Sequence, residues 1–404
     1  MKLPNNYNSV GYRRFFSLFL VIFALFGNKF SLSAQHNEKV LSNDNETISE
    51  MVEDELHKVE HKYNAAEVIA AHISDAHDWH FLTLGHTHLT LPLPVIIYSK
   101  EKGLDMFMSN KFKAAEGTEA HGHNATLYHN GYVLYNGKIF IGESTQHIET
   151  DLKGAVTNLA TVTDISITKN VASMFVGLLV LTLVFISVAN AYKKTGSKIA
   201  PKGLQSFMEP LILFVRDDIA KPNLGNKADK FLPYLLTIFF FILINNILGL
   251  LPGAANVTGN IAVTFLLAFL TLIITAINGN KTYWGHIFNP PGVPKWLFPI
   301  MIPVELMGIF TKPFALMIRL FANITAGHII MLSIIGLIFM FSNNGTEIGT
   351  GFGVSLGALP LAIFLYCLEL LVVFIQAYIF TMLTALFIGQ AVEDHHHPVE
   401  EASH

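Results

Sequence analysis

The sequence predicts an all-α polytopic membrane protein of about five membrane helices, the last two long and strongly tilted, with a small mixed module ahead of them. Three observations predict it. Apolar residues make up 51% of the 404 positions and charged residues only 14%, against roughly 25% charge in a soluble domain. The charges are unevenly placed: residues 35–172 hold 19 Asp/Glu against 10 Lys and no Arg, while the half that follows is sparse in both signs. Five apolar stretches, near 174–192, 231–251, 261–277, 297–342 and 352–391, have the length needed to cross a hydrocarbon core about 30 Å thick.

The chain opens like an export signal. Arg13 and Arg14 precede a 13-residue apolar run, Phe15 to Gly27, followed by the small residues Ser31, Ser33 and Ala34. Such a run is too short to span a bilayer. Residues 1–34 are therefore expected to be a signal peptide cleaved near Ser33 or Ala34, with an uncleaved anchor as the competing reading. Residues 35–172 then form an exported, acidic, His-rich module. Helical character is expected over Glu50 to Ala71, and β-like runs over Leu91 to Tyr98 and Tyr132 to Ile141, separated by Gly and Asn. Among its histidines, His80, His86 and His88 are spaced so that they could converge on zinc. The blander alternative, solvated or simply packed histidines, is preferred, and no metal or cofactor is assigned.

Beyond the module lies a membrane part, 173–391, closed by an acidic tail, 392–404, that carries His395 to His397. Its last two apolar stretches would reach roughly 69 and 60 Å as helices, at 1.5 Å per residue. Between Leu368 and Phe374 the sequence LELLVVF offers no Gly, Pro or Asn at which to turn, so the last stretch should be one helix. To stay in lipid it must tilt by roughly 60°, beyond the ordinary range. Cys367, the single cysteine, lies within this stretch and reads as a core or lipid-facing residue.

Loop charges set the orientation. The connection 193–230 holds eight Lys/Arg and 278–296 holds Lys281 and Lys295, whereas 252–260 and 343–351 hold none. The positive-inside rule makes the first pair cytoplasmic, places the exported amino terminus outside, and leaves the carboxyl terminus in the cytoplasm. Gly203 to Ile219 is expected to be an amphipathic helix at the cytoplasmic surface.

Within the apolar stretches 297–342 and 352–391 the charged and imidazole side chains are Glu305, Lys312, Arg319, His328 and Glu369, each costly at bilayer depth unless paired or hydrated. Lys312 is also readable as a side chain snorkelling from a helix end. Arg319 sits near the middle of its stretch and stays protonated at any physiological pH, so it can hold a carboxylate without passing a proton on. Steps of seven put Glu305, Lys312 and Arg319 close to one face, with Asn323 one turn onward. Glu369 and Gln376 are likewise seven apart, and these two stripes are expected to meet between antiparallel helices. By the same counting His328 falls opposite Arg319. A histidine and a carboxylate can relay protons near neutral pH.

The runs KPFALMIRLFANITAGH (312–328) and ELLVVFIQAYIFTMLTALFI (369–388), with INNILGLLPG (244–253) and TGNIAVT (258–264), closely resemble ATP synthase subunit a, over roughly residues 170–391. This resemblance implies a stationary subunit, with no catalytic site of its own, in a bacterial inner membrane. It implies the c-ring, peripheral-stalk subunit b, the other ATP synthase subunits and the lipid bilayer as partners, and no nucleic acid. Arg319 matches the family's essential arginine, Asn323 and Gln376 its polar neighbours, and Glu305 a carboxylate of the cytoplasmic half-channel. His328 and Glu369 occupy positions that the family fills with a Glu and a His in either order. The implied activity is proton translocation through two offset half-channels at the ring. No GxxxxGK[ST] phosphate loop is present. Two other classes compete: an independent transporter, which lacks internal repeats here, and a structural anchor, which leaves Arg319 unexplained.

Overall fold

The computed structural model describes residues 69–393 apart from 71–72, 85–86, 101, 115–125, 143–147, 150–155, 196–199, 252, 290–293 and 344–345. The expected signal peptide, nearly all of the helix expected over Glu50 to Ala71, and the tail from 394 lie outside these residues. The described residues fall into two compact units, one of 69–170 with 325–369 and one of 171–324 with 370–393.

In the first of these units the chain forms β1 (Asp78–Leu84), β2 (Thr87–Pro92), β3 (Pro94–Ser99), β4 (Gly103–Met108), β5 (Lys113–Ala114), β6 (Leu127–His129), β7 (Tyr132–Tyr135), β8 (Lys138–Ile141), β9 (Ala160–Thr161) and β10 (Thr163–Asp164). Three antiparallel sheets result among the described residues: β1-β2, β10-β3-β4 and β5-β6-β7-β8-β9. The expected run Tyr132 to Ile141 is thus a hairpin. Asn136 and Gly137 both take positive φ between its strands, as do Asn130 and Gly131 between β6 and β7. Two-residue Asn-Gly links of this kind match the twist of the strands they join. The core gathers Val95, Ile97 and Phe107 with Phe112, Tyr132 and Ile139.

A buried polar knot ties this module to the helix that follows it. Asp75 accepts the Thr168 hydroxyl at 2.8 Å and the Asn170 backbone N–H at 3.2 Å, capping the first turn of α1 (Lys169–Thr195) with a carboxylate from a distant segment. Burial pushes the Asp75 carboxyl up, against the pull of those donors. The buried ring of His77 places Nε2 2.6 Å from the Asp164 carboxylate, which also accepts the Ser166 N–H. Burial opposes ionisation of Asp164 too, but His77 and Ser166 outweigh it and hold its carboxyl below the ordinary 3.8. Of the other described histidines, His129 lies edge-on to Phe107, with centroids 4.6 Å apart. His86 and the side chain of His88 lie outside the described residues, and among the described residues no three metal-ligating groups come together.

The membrane helices are long and apolar. After α1 come α2 (Leu204–Phe214), α3 (Lys221–Leu224), α4 (Ala228–Gly249), α5 (Ile261–Asn278), α6 (Lys281–Phe288), α7 (Phe298–Phe341) and α8 (Ile348–Val392). Five stretches among the described residues are long and apolar enough to cross a membrane, as the hydropathy pattern predicts. A helix forms within the expected Gly203 to Ile219 as α2, but the helical run does not end at Ile219. A π-helical turn, Val215–Ala220, then α3 and a 3-10 turn carry it almost without a break into α4. The last stretch is indeed one helix. At 44 and 45 residues, α7 and α8 are each about 66 Å long, twice the hydrocarbon thickness, so they cross it only at a steep incline. Cys367 is exposed on α8, so it is not a core residue of this chain.

Helix α4 is buried nearly all round, with Leu235, Phe239, Phe240, Phe241 and Ile242 at the centre of the core of its unit, as expected of a helix apolar on every face. The end of α8 locks onto neighbouring segments. Its last carbonyls, which have no partners within the helix, accept the Asn280 backbone N–H at 2.9 Å, the Asn280 side-chain amide at 2.9 Å and Lys227. Gly389 lets the Asn223 carbonyl approach so closely that a Cβ there would lie 2.2 Å from its oxygen.

The His77–Asp164 pair should be lost in acid. A carboxyl held below its ordinary value contributes stability that is present above the unfolded-state value and disappears as pH falls through the folded-state value. Asp164→Asn is expected to speed amide exchange in β3 and β10 at neutral pH, with the difference from the parent chain vanishing in strong acid. Comparing the two proteins at each pH cancels the opposite contribution of Asp75.

Candidate functional site

Packing decides which side of α7 faces its own chain. Leu316, Met317, Leu320 and Ile324 are buried and join a core shared with α4 and with Val373, Ala377 and Phe380 of α8. That choice turns the other side outward. Glu305, Lys312, Arg319 and Asn323, the stripe expected from sequence, are all exposed. Arg319 stands midway along α7 and has no hydrogen-bond acceptor or carboxylate partner among the described residues. Lys312 differs: its ammonium donates to Gln390 Oε1 at 3.1 Å and lies 5.5 Å from the centre of the Phe387 ring.

Helix α8 carries its polar residues on the covered side. Glu369 is 6% exposed and Gln376 4% exposed, on a face they share with Val373, Phe380 and Thr384. Glu305, Lys312, Arg319 and Asn323 are thus exposed, whereas Glu369 and Gln376 are buried. Glu369 lies beside His328, which is 2% exposed and lies opposite Arg319 as helical counting predicts. His328 Nδ1 and Glu369 Oε1 stand 3.7 Å apart, within ion-pair range but beyond a good hydrogen bond. Glu369 Oε1 is buried without a hydrogen bond among the described residues.

Gly327 makes this pairing sterically possible, and sequence reasoning passed over it. A Cβ built on it would lie 2.9 Å from Glu369 Oε1 and 3.2 Å from the carboxyl carbon. In sequence Gly327 is one small residue inside an apolar helix, and nothing in its spacing ties it to a carboxylate 42 positions on. Buried polar groups of α4 were also missed as individuals. Asn245 donates to the Phe241 carbonyl, and Asn246 accepts from Thr258. A hydroxyl chain, Tyr234 to Thr271 at 3.1 Å and Thr271 to Thr384 at 3.5 Å, links α4, α5 and α8.

Residues 171–389 match the family described as ATP synthase A chain. The chain belongs to this family. An ATP synthase subunit a of Chloroherpeton thalassium is 44% identical over 246 residues, 60% of this chain and 71% of the relative. One from Chlorobium phaeobacteroides strain DSM 266 is 46% identical over 244 residues, 59% of this chain and 69% of the relative. An ATP synthase subunit a 2 of Prosthecochloris aestuarii is 46% identical over 244 residues, covering 59% and 72%. Residues 68–165 match a separate family, a domain of unknown function (DUF8433). Family membership and the apolar helices together make this a multi-pass membrane protein.

Gly327→Ala should overpack the His328–Glu369 pair. Crowding of this kind costs about 1–3 kcal/mol, and the variant is expected to unfold several degrees lower in detergent. Gly353→Ala, with open space around the new methyl, should melt like the parent. Shortening the carboxylate with Glu369→Asp should recover part of the loss in the Gly327→Ala background, and strict additivity of the two changes would show that the contact is absent.

Proposed function

We propose that this chain is the stationary half of a proton path that works against a rotating ring of acidic subunits, with Arg319 as the barrier between two half-channels. Membership in the family implies proton translocation within an F-type ATP synthase, alongside that complex's other subunits. The observation that carries the finer reading is a guanidinium midway along an apolar helix, exposed, with no partner among the described residues of its own chain. A charge at bilayer depth costs roughly 2.5–3.5 kcal/mol unless compensated, so its counter-charge is expected on another chain. A c-ring, whose carboxylates pass in turn, would supply that partner, and subunit b of the peripheral stalk would hold this chain still against the rotor.

On this reading the loop charges place the exported module outside the cytoplasm and the tail inside. Protons enter from the outer side past His328, Glu369, Gln376 and Asn323 and neutralise a ring carboxylate, which then turns into lipid. At the end of the circuit Arg319 displaces the proton from the returning carboxyl, and Glu305 receives it toward the cytoplasm. Arginine suits this step because it stays charged throughout and so blocks direct leakage. Each charge crossing 100 mV yields about 2.3 kcal/mol, so several must act together to drive one ATP synthesis.

Replacing Arg319 with Ala is expected to abolish ATP-driven proton pumping in inverted membrane vesicles while the ring still copurifies with the chain. Coupled pumping by that variant would refute the barrier role. Exchanging His328 and Glu369 together should impair pumping less than changing either alone, since the exchange restores one acid and one imidazole. If the double exchange is no better than the product of the single effects, the two do not act as a pair.

A further inference from the structure

The sheet β10-β3-β4 has an apolar face on each side, and only one of them is used. Val95, Ile97 and Phe107 point into the module's core. On the other side the register brings together Tyr98 with Leu104, Ile96 with Met106, and Pro94 with Met108. Thr163 pairs with Tyr98, and the edge continues past β10, because Ile165 N–H bonds to the Ile96 carbonyl at 2.9 Å and Ile167 N–H to the Pro94 carbonyl at 3.1 Å. Three rows of three side chains result, and eight of the nine are apolar. Leu104 and Met106 are 65% and 63% exposed, with Tyr98, Met108 and Ile165 also open. An antiparallel sheet with one solvated face ordinarily alternates apolar-in with polar-out. This one does not, although it belongs to a module rich in acidic residues.

Two features of the chain say what covers the face. The third row ends at Ile167, two residues before Lys169, the first residue of the membrane helix α1, and the hydrogen-bonded edge runs on to Lys169 itself, whose N–H bonds to the Ala76 carbonyl at 2.9 Å. At about 3.4 Å per residue the patch therefore begins within roughly 7 Å of a membrane span. At the opposite row Tyr98 is followed by the exposed Lys100, a side-chain pair suited to the headgroup layer, where amphipathic rings and snorkelling ammonium groups settle. We infer that the outer face of β10-β3-β4 lies against the bilayer surface, seating its Leu, Met and Ile side chains at the boundary between headgroups and acyl chains. No charged residue of these strands lies on the face to oppose that transfer, and immersion of such faces by about 5–10 Å is ordinary for interfacial elements. The module is then held to the membrane by more than the connection into α1, and this inference does not depend on the proton path.

The test uses the full chain within its ATP synthase complex in liposomes. On a Cys367→Ser background, Met106→Cys and, separately, Lys138→Cys on β8 carry a small environment-sensitive fluorophore, with Leu104→Cys as a second position on the face. Phosphatidylcholine brominated on its acyl chains should dim the labels at Met106 and Leu104 about twofold, as expected for a group at the acyl boundary, and leave the Lys138 label bright. Aqueous iodide should do the reverse. Equal iodide quenching at all three positions would show a solvated face. Insensitivity of the Met106 and Leu104 labels to both quenchers would show a protein partner on it, whether another subunit, a second copy or another part of this chain. Either result overturns the inference.

Discussion

A hydrocarbon slab leaves a chain few ways to keep a permanent charge within it: another charge must neutralise it, water must reach it, or the side chain must escape to the boundary. Lys312 finds Gln390 and the Phe387 ring. Arg319 finds no such partner among the described residues, and the packing of Leu316, Met317, Leu320 and Ile324 prevents it from turning inward. The uncovered stripe on α7 follows from that one constraint, and so does the expectation of an acidic partner beyond this chain.

The covered side of the two long helices obeys a different rule. Groups there are shielded from lipid and can afford to be polar, provided each has a neighbour. His328 and Glu369 meet at 3.7 Å because Gly327 leaves the carboxylate room. Tyr234, Thr271 and Thr384 form a chain of hydroxyls, and threonines such as Thr381 return their hydroxyls to their own helix.

The module ahead of the membrane helices folds by a different pattern within the same chain. Short strands, Asn-Gly turns and a small core replace long apolar helices, and the buried knot of Asp75, His77 and Asp164 fixes the chain where it passes from one regime to the other. Its match to a family separate from the membrane part agrees with this change of character.

Composition, hydropathy and the absence of turn residues were enough to determine the five apolar spans, the single long last helix, the polar stripe through Arg319 and the Asn-Gly punctuation of the module, because each depends on local periodicity or on transfer of residues between water and lipid. Helical counting also put His328 opposite Arg319. It could not tell which stripe of α8 meets which side of α7, because helix rotation is set by how residues far apart in sequence interdigitate. The pairing of Glu369 with His328, the room left by Gly327, the continuation of α2 into α4 and the apolar outer face of β10-β3-β4 were therefore decided only by tertiary structure, where contacts rather than periodicity choose the partner.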